Sequence, residues 1–268
     1  MLIKGLEIEV NSLQILPTNT LLKHEQTIPE NTAKLKEAML NIGQLVDPII
    51  ADKKHKIVLD GNHRLEVLKI IKVPLVVCQT VDYSRPDITL GGWFPVRENL
   101  SEADLKKAGI RFEKTDFEAG QEALARKKAV MMLVTEGKGK RTCALVSPGS
   151  YDLTKLIEEQ RIVLSKLGNN FLYIADDRIE THLTRGQGTL FRAIYTKDEV
   201  IKRALSGVPF PPKSTRHIIP ERIIRLNMRL GWLHQSEDEA KKYLERMLED
   251  RLYNGNIRRY TEPVIVIY

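Results

Sequence analysis

The stretch that most constrains this chain is Ile57-Val58-Leu59-Asp60-Gly61-Asn62-His63-Arg64, where an apolar run stops and residues capable of charge chemistry begin. Lys56 to Leu59 is short and β-branched, and the charged turn Asp52-Lys53-Lys54-His55 precedes it. This predicts a strand paired as a hairpin with Pro48-Ile49-Ile50-Ala51. After Gly61 the period changes, with Leu65, Leu68 and Ile71 recurring three apart as the apolar face of a short helix. The turn therefore sits at a helix N-terminus. Free backbone N–H groups and the positive end of the helix dipole favour an anion there, and His63 and Arg64 add donors. Asp60 has the opposite sign. A carboxylate beside a phosphate site is repelled unless a cation lies between them, which points to Mg²⁺. The same residues also suit a plain tight turn, with Asn62 capping the helix and His63 and Arg64 solvated; the octapeptide alone leaves both readings open.

At 268 residues the chain can bury a full core, as one large domain or two small ones. Its 42% hydrophobic and 29% charged residues describe a globular protein. No apolar run approaches the roughly 20 residues that span a bilayer, and the start Met1-Leu2-Ile3-Lys4-Gly5-Leu6-Glu7 lacks a signal-peptide core. A cytoplasmic location with no membrane partner is expected. Cys78 and Cys143 lie far apart in sequence, so two reduced thiols are expected rather than a metal knuckle or a disulfide. A net charge of +7 fits anionic partners, nucleotide or nucleic acid, without choosing between them.

Along the chain, the alternation Leu6-Glu7-Ile8-Glu9-Val10 suits a strand over Leu6 to Leu16, ended by Pro17. Thr27 and Glu30 have capping-box spacing with Pro29 in the first turn, and Leu35, Ala38, Met39 and Ile42 trace one helical face up to a left-handed cap at Gly43. His24 and Glu25 then fall in the entry loop, where a carboxylate can face a cleft; taken alone, Glu25 reads as a solvated loop acid. Val73 to Val81 reads as a buried strand, so that strand, helix, hairpin, helix and strand make a compact α+β unit. In Thr89 to Val96, Gly91 and Gly92 allow close approach of backbone to a ligand, and Trp93 suits either a pocket wall or the core. Ser101 to Lys128 is charged and helical. Ala129 to Val134 and Arg141 to Val146 pair around a Gly/Lys loop that lacks the Walker ending, which excludes a P-loop. A helix over Tyr151 to Leu167 and a strand over Phe171 to Ala175 lead to the turn Asp176-Asp177-Arg178, whose aspartates cap or solvate more readily than they bind metal. In the stretch from Gly207 to Pro220, prolines stiffen a loop that presents Lys213, Ser214, Thr215, Arg216 and His217 in succession, a nest suited to a transferring phosphoryl group or a carboxylate. Glu237 to Tyr253 is an amphipathic helix and Pro263 to Tyr268 a strand.

On three of these stretches the chain resembles the free L-serine kinases, whose N-terminal half has a ParB/sulfiredoxin-like fold. His24-Glu25-Gln26 is similar to the segment carrying their catalytic glutamate, Asp60-Gly61-Asn62-His63-Arg64 to their nucleotide-phosphate motif, and Pro212-Lys213-Ser214-Thr215-Arg216-His217 to their Thr-Arg-His loop. Trp93 falls where the family places a tryptophan near serine, and Arg259-Tyr260-Thr261-Glu262 is similar to the ending of the siderophore-pathway member. The resemblance implies an α+β fold, with a ParB/sulfiredoxin-like domain over residues 1–100 packed on a mixed α/β domain over 101–268 and an active site in the cleft between them. It implies phosphoryl transfer from Mg²⁺-bound ADP or ATP to free L-serine. Glu25, Asp60, His63 and Lys213 would be catalytic, with Asp60 on Mg²⁺. Gly61, Asn62, His63, Arg64, Thr215, Arg216 and His217 would hold phosphates, and Trp93, Thr215, Arg216 and His217 would contact serine. Sulfiredoxins carry cysteine where this chain has Asn62. The Gly-Glu-Arg-Arg of DNA-partition proteins is absent and no helix-turn-helix follows the first domain, which argues against a nucleic-acid partner.

Overall fold

The two apolar runs that precede Gly61, Ile49–Ala51 and Ile57–Leu59, become neighbouring strands of one sheet in the computed structural model of the chain, which describes residues 12–137 and 139–260. The alternation at Leu6 to Val10, Lys138 of the Gly/Lys loop, Thr261 and Glu262, and the run Pro263 to Tyr268 lie outside the described residues. The fold is mixed α/β and divides into two compact units, neither of which is continuous in sequence. The first takes the described residues up to Ile88, Val200–Pro212 and the described residues from Ile219 onward; the second takes Thr89–Glu199 and Lys213–Ile218. This differs from a single division at residue 100. The chain returns to the first unit because the helix Glu237–Tyr253 supplies Ala240, Leu244 and Leu248 to that unit's core.

In the first unit, β1 (Leu13–Pro17), β2 (Leu22–Lys23), β3 (Gln44–Leu45), β4 (Ile49–Asp52), β5 (Ile57–Asp60) and β6 (Leu75–Val81) are interleaved with α1 (Pro29–Ile42) and α2 (Asn62–Ile70). Five strands form a sheet in the order β1-β6-β4-β5-β2, while β3 pairs with Met228–Arg229. The expected hairpin is present as antiparallel β4 and β5, and β4 runs parallel to β6. Their registers set Asp60, Ile50 and Gln79 in one cross-strand row. α2 buries Leu65, Val67 and Leu68.

α1 departs from the expected start. Pro29 takes the first helical position and leaves Ile28, extended, as N-cap with no side-chain cap, so the Thr27–Glu30 capping box does not form. The Ile28 N–H goes instead to Nε2 of His63 at 3.0 Å. Its buried face is Thr32 and Met39 with Leu35 partly covered, whereas Ala38 and Ile42 are exposed. Gly43 ends the helix as expected, in the left-handed conformation at φ 65° with its N–H on the Met39 carbonyl.

In the second unit, β7 (Thr89–Gly91), β8 (Trp93–Glu98), β9 (Glu113–Thr115), β10 (Met131–Gly137), β11 (Lys140–Val146), β12 (Leu172–Ala175), β13 (Gln187–Phe191) and β14 (Arg216–Ile218) alternate with α3 (Glu102–Lys107), α4 (Phe117–Ala125), α5 (Leu153–Lys166) and α6 (Ile179–Thr184). Six strands form an antiparallel sheet ordered β12-β8-β13-β10-β11-β9, and β7 and β14 form a separate ribbon. The expected β10–β11 hairpin is covered on both faces. Met132 and Val134 enter one apolar cluster, Met131 and Leu133 the other, which is why the run is apolar without alternation.

Both cysteines are free and buried, and burial pushes the Cys78 thiol up to about 12. Among the described residues no helix is long and apolar enough to cross a membrane. Leu65 is fully buried where α2 meets the sheet. Leu65→Ala should therefore lower stability by about 2–5 kcal/mol, read as an earlier urea midpoint.

Candidate functional site

β5 ends at Asp60 and α2 begins at Asn62, so Gly61 alone joins them. Its φ of 103° and ψ of 24° lie in the left-handed region, which costs a side-chain-bearing residue about 1–2 kcal/mol. A Cβ there would also stand 3.0 Å from Nε of Arg64 and 3.1 Å from Cγ1 of Ile49. Glycine thus allows both the turn and the return of Arg64 beneath it. The N–H groups of Asn62, His63 and Arg64 open the helix and have no acceptor within it, while the Leu65 N–H bonds the Gly61 carbonyl at 2.9 Å. This is the anion-favouring geometry the sequence predicts.

The side chains of the turn are distributed differently from the sequence expectation. Nη1 of Arg64 donates to the Asp47 and Pro48 carbonyls, each at 2.9 Å, and Nη2 to Oδ2 of Asp60 at 2.7 Å. Arg64 is thereby built into the turn. Because Nε2 of His63 accepts the Ile28 N–H, its ring proton resides on Nδ1, which leaves that nitrogen as the donor. Asp60 receives a second guanidinium, from Arg222. Among the described residues no three His, Cys, Asp or Glu side chains gather to hold a metal ion. An oxygen shared by two guanidiniums is a poor ligand for a hard divalent cation. The residues at Asp60 do not fit a Mg²⁺ held by the protein.

Glu25 is carried by a segment pinned at both ends. The Phe210 N–H bonds the His24 carbonyl at 2.7 Å and the Gln26 N–H bonds the Phe210 carbonyl at 2.8 Å, a parallel bridge centred on Glu25. Phe210 is fully buried, with the Arg203 guanidinium 4.9 Å from its ring centre. His24 turns inward, 2% exposed, and its Nδ1–H donates to the Val58 carbonyl. The Asn62 amide lies 3.3 Å from the same nitrogen. These bonds, with the one from Ile28 to His63, fix Glu25 beside the Gly61 turn.

In the second unit the Lys213 ammonium sits 4.6 Å from the Trp93 ring centre. Arg192, 8% exposed, ties both residues down: its Nη2 donates to the Trp93 carbonyl at 2.6 Å and to the Lys213 carbonyl. Lys213 itself adopts φ 61°. Ser214 and Thr215 are buried, and β14 pairs with β7, placing Arg216 opposite Gly91 and His217 opposite Leu90. Arg216 donates to Asp176 at 2.7 Å and to Asp177 at 3.1 Å. A Cβ on Gly91 would meet Oδ2 of Asp176 at 2.4 Å, so this glycine admits a carboxylate against the ribbon. The paired aspartates act as partners of Arg216.

The structure thus brings Glu25, Asp60, Gly61, Asn62, His63 and Arg64 together in the first unit, and Trp93, Lys213, Thr215, Arg216 and His217 in the second. Sequence reasoning missed Arg192, Phe210 and Arg222. Arg192 left a trace as the one charge in the run Leu190-Phe191-Arg192-Ala193-Ile194-Tyr195.

Burial holds the His24 pKa down to about 4, against smaller opposing effects of the Val58 carbonyl and Asp60. Above pH 6.5 neither the folded nor the unfolded chain carries this proton. As pH falls from 6.5 to about 4, the unfolded chain takes up a proton that the folded one refuses, so stability drops by about 3 kcal/mol and then levels off. Denaturant midpoints across this window should show that slope, and His24→Gln should flatten it.

No protein-family model matches the chain. It is 29% identical over 230 residues to an ATP-dependent L-serine kinase of Staphylothermus marinus, spanning 77% of this chain and 85% of that protein. It is 24% identical over 224 residues to an ADP-dependent L-serine kinase of Thermococcus kodakarensis, spanning 77% of this chain and 87% of that one. A solved free serine kinase in complex with AMP shares the fold with a TM-score of 0.65 at 19% identity, over 82% of this chain and 93% of the other. Over most of its length the chain therefore resembles the free L-serine kinases in sequence and has their fold.

Proposed function

We propose that the chain is a free L-serine kinase that moves a phosphoryl group from ADP or ATP to the serine hydroxyl, giving O-phospho-L-serine. The observation that carries this reading is the placement of Glu25, fixed by the Phe210 bridge and the His24 and Ile28 bonds, beside the anion-favouring turn at Gly61. Phosphoryl transfer depends chiefly on positioning and charge neutralisation. The N–H groups opening α2, with Asn62 and Nδ1–H of His63, would hold nucleotide phosphates. Glu25 would accept the proton from the serine Oγ as that oxygen bonds to phosphorus and the bond from phosphorus to the departing nucleotide oxygen breaks. ATP would leave as ADP, and ADP as AMP.

Trp93, Thr215 and His217 are assigned to serine and the transferring group. Lys213 would neutralise developing charge. Arg216 is compensated by Asp176 and Asp177, so its role in this reading is to shape the loop. Mg²⁺ enters as part of the substrate, the metal-bound nucleotide, and no step is routed through Asp60 as its ligand. The buried free thiols are in keeping with a reducing, cytoplasmic setting.

Phosphorus NMR of the purified chain with Mg²⁺ and L-serine, run separately with ADP and ATP, should show phosphoserine with at least one donor. Glu25→Gln should lower turnover by about 10²–10⁴-fold with nucleotide affinity nearly unchanged. Absence of phosphoserine with either donor, or full activity of the variant, refutes the reading.

A further inference from the structure

The sequence poses a problem that the structure solves in an unexpected way. A carboxylate, Asp60, stands at the mouth of a turn that otherwise favours anions, and a compensating cation is needed. Two guanidiniums answer the Asp60 carboxylate there, from Arg64 and from Arg222. The two are not equivalent. Arg64 is 17% exposed and locked by carbonyls on one side, whereas Arg222 is 43% exposed and meets Asp60 from outside the turn.

Arg222 is also aimed. Gln79 lies in β6, a largely apolar strand, and is 2% exposed. Its side-chain Nε2 donates to the Glu221 carbonyl at 2.9 Å, and its Oε1 accepts the Ile223 N–H at 3.0 Å. One buried amide therefore grips the backbone on both sides of residue 222, as a neighbouring strand would. The Arg225 N–H on Oδ1 of Asp47 at 2.7 Å and the Asn227 N–H on the Val46 carbonyl at 2.8 Å pin the rest of the segment. Gln79 and Asp60 share a cross-strand row two strands apart, about 10 Å by sheet spacing, and the Arg222 side chain spans from one toward the other. Satisfied at both ends, the buried amide fixes the backbone on either side of Arg222 and with it the point from which that side chain departs.

We propose that Arg222, positioned by Gln79 and held ready by Asp60, is a nucleotide-phosphate ligand, a guanidinium in the place the sequence suggested for a metal. The inference rests on the kinase reading. Of the five N–H donors of the fork, the contact with Asp60 is made by Nη2, and the flat fork suits two phosphate oxygens at once. The contact is with the phosphates beyond the first, so ADP and ATP feel it and AMP does not.

Calorimetric titration of the full chain with AMP, ADP and ATP, in EDTA and again in Mg²⁺, tests this. Arg222→Ala should weaken ADP and ATP binding about 10- to 100-fold in both media and leave AMP within a few-fold, with Arg222→Lys intermediate. Gln79→Leu should weaken ADP similarly, and the double variant should be no worse than Arg222→Ala alone, a non-additivity that mere destabilisation does not produce. Unchanged ADP affinity in Arg222→Ala, or a loss seen only with Mg²⁺, overturns the role of Arg222 while leaving the kinase reading standing. A wild-type chain that binds none of the three nucleotides overturns both.

Discussion

The left-handed turn at Gly61 is the constraint on which the first unit depends. It reverses the chain from β5 into α2 within one residue, and Arg64 closes it from below through the Asp47 and Pro48 carbonyls. Because α2 then lies on the sheet with Leu65, Val67 and Leu68 buried, core packing and the opening of the helix are fixed together. The neighbouring segment is registered to the same turn through His24 and Ile28, so the catalytic candidate Glu25 gains its position from residues that are themselves inward-facing. Positioning that rests on buried groups resists thermal spread, the property that proton transfer to a fixed base requires.

Much of the first unit could be read from the residues. The β4–β5 hairpin, the change of period after Gly61, the left-handed cap at Gly43 and the helix Glu237–Tyr253 all follow from local pattern, and local pattern is what sequence expresses best. The capping box at Thr27 failed because Pro29 and a distant histidine set the helix start, and the second of these is a long-range fact. The exposed positions of Ala38 and Ile42 have the same origin: the buried face of α1 is chosen by what it packs on. Likewise the chain's final return to the first unit, from Ile219, depends on where the last helix finds its apolar partners.

At the site, the motif residues were legible and their partners were not. Asp60, His63 and Arg64 stand out by type and spacing, but the division of labour among them is decided by Asp47, Pro48, Ile28 and Arg222, far away in sequence. In the second unit the Lys213–His217 run was visible, whereas its clamps Arg192, Asp176 and Asp177 were not. A polar residue buried in a largely apolar run, Gln79 or Arg192, is the trace such clamps leave, since an unsatisfied polar group is not tolerated in a core.

The bond from Ile28 to His63 has an electrostatic corollary. It places the beginning of α1 one side chain away from the beginning of α2. Two helix openings, each favourable to negative charge, thus lie within the reach of one imidazole. An anion bound beside them would raise the chain's resistance to unfolding as it occupies the site.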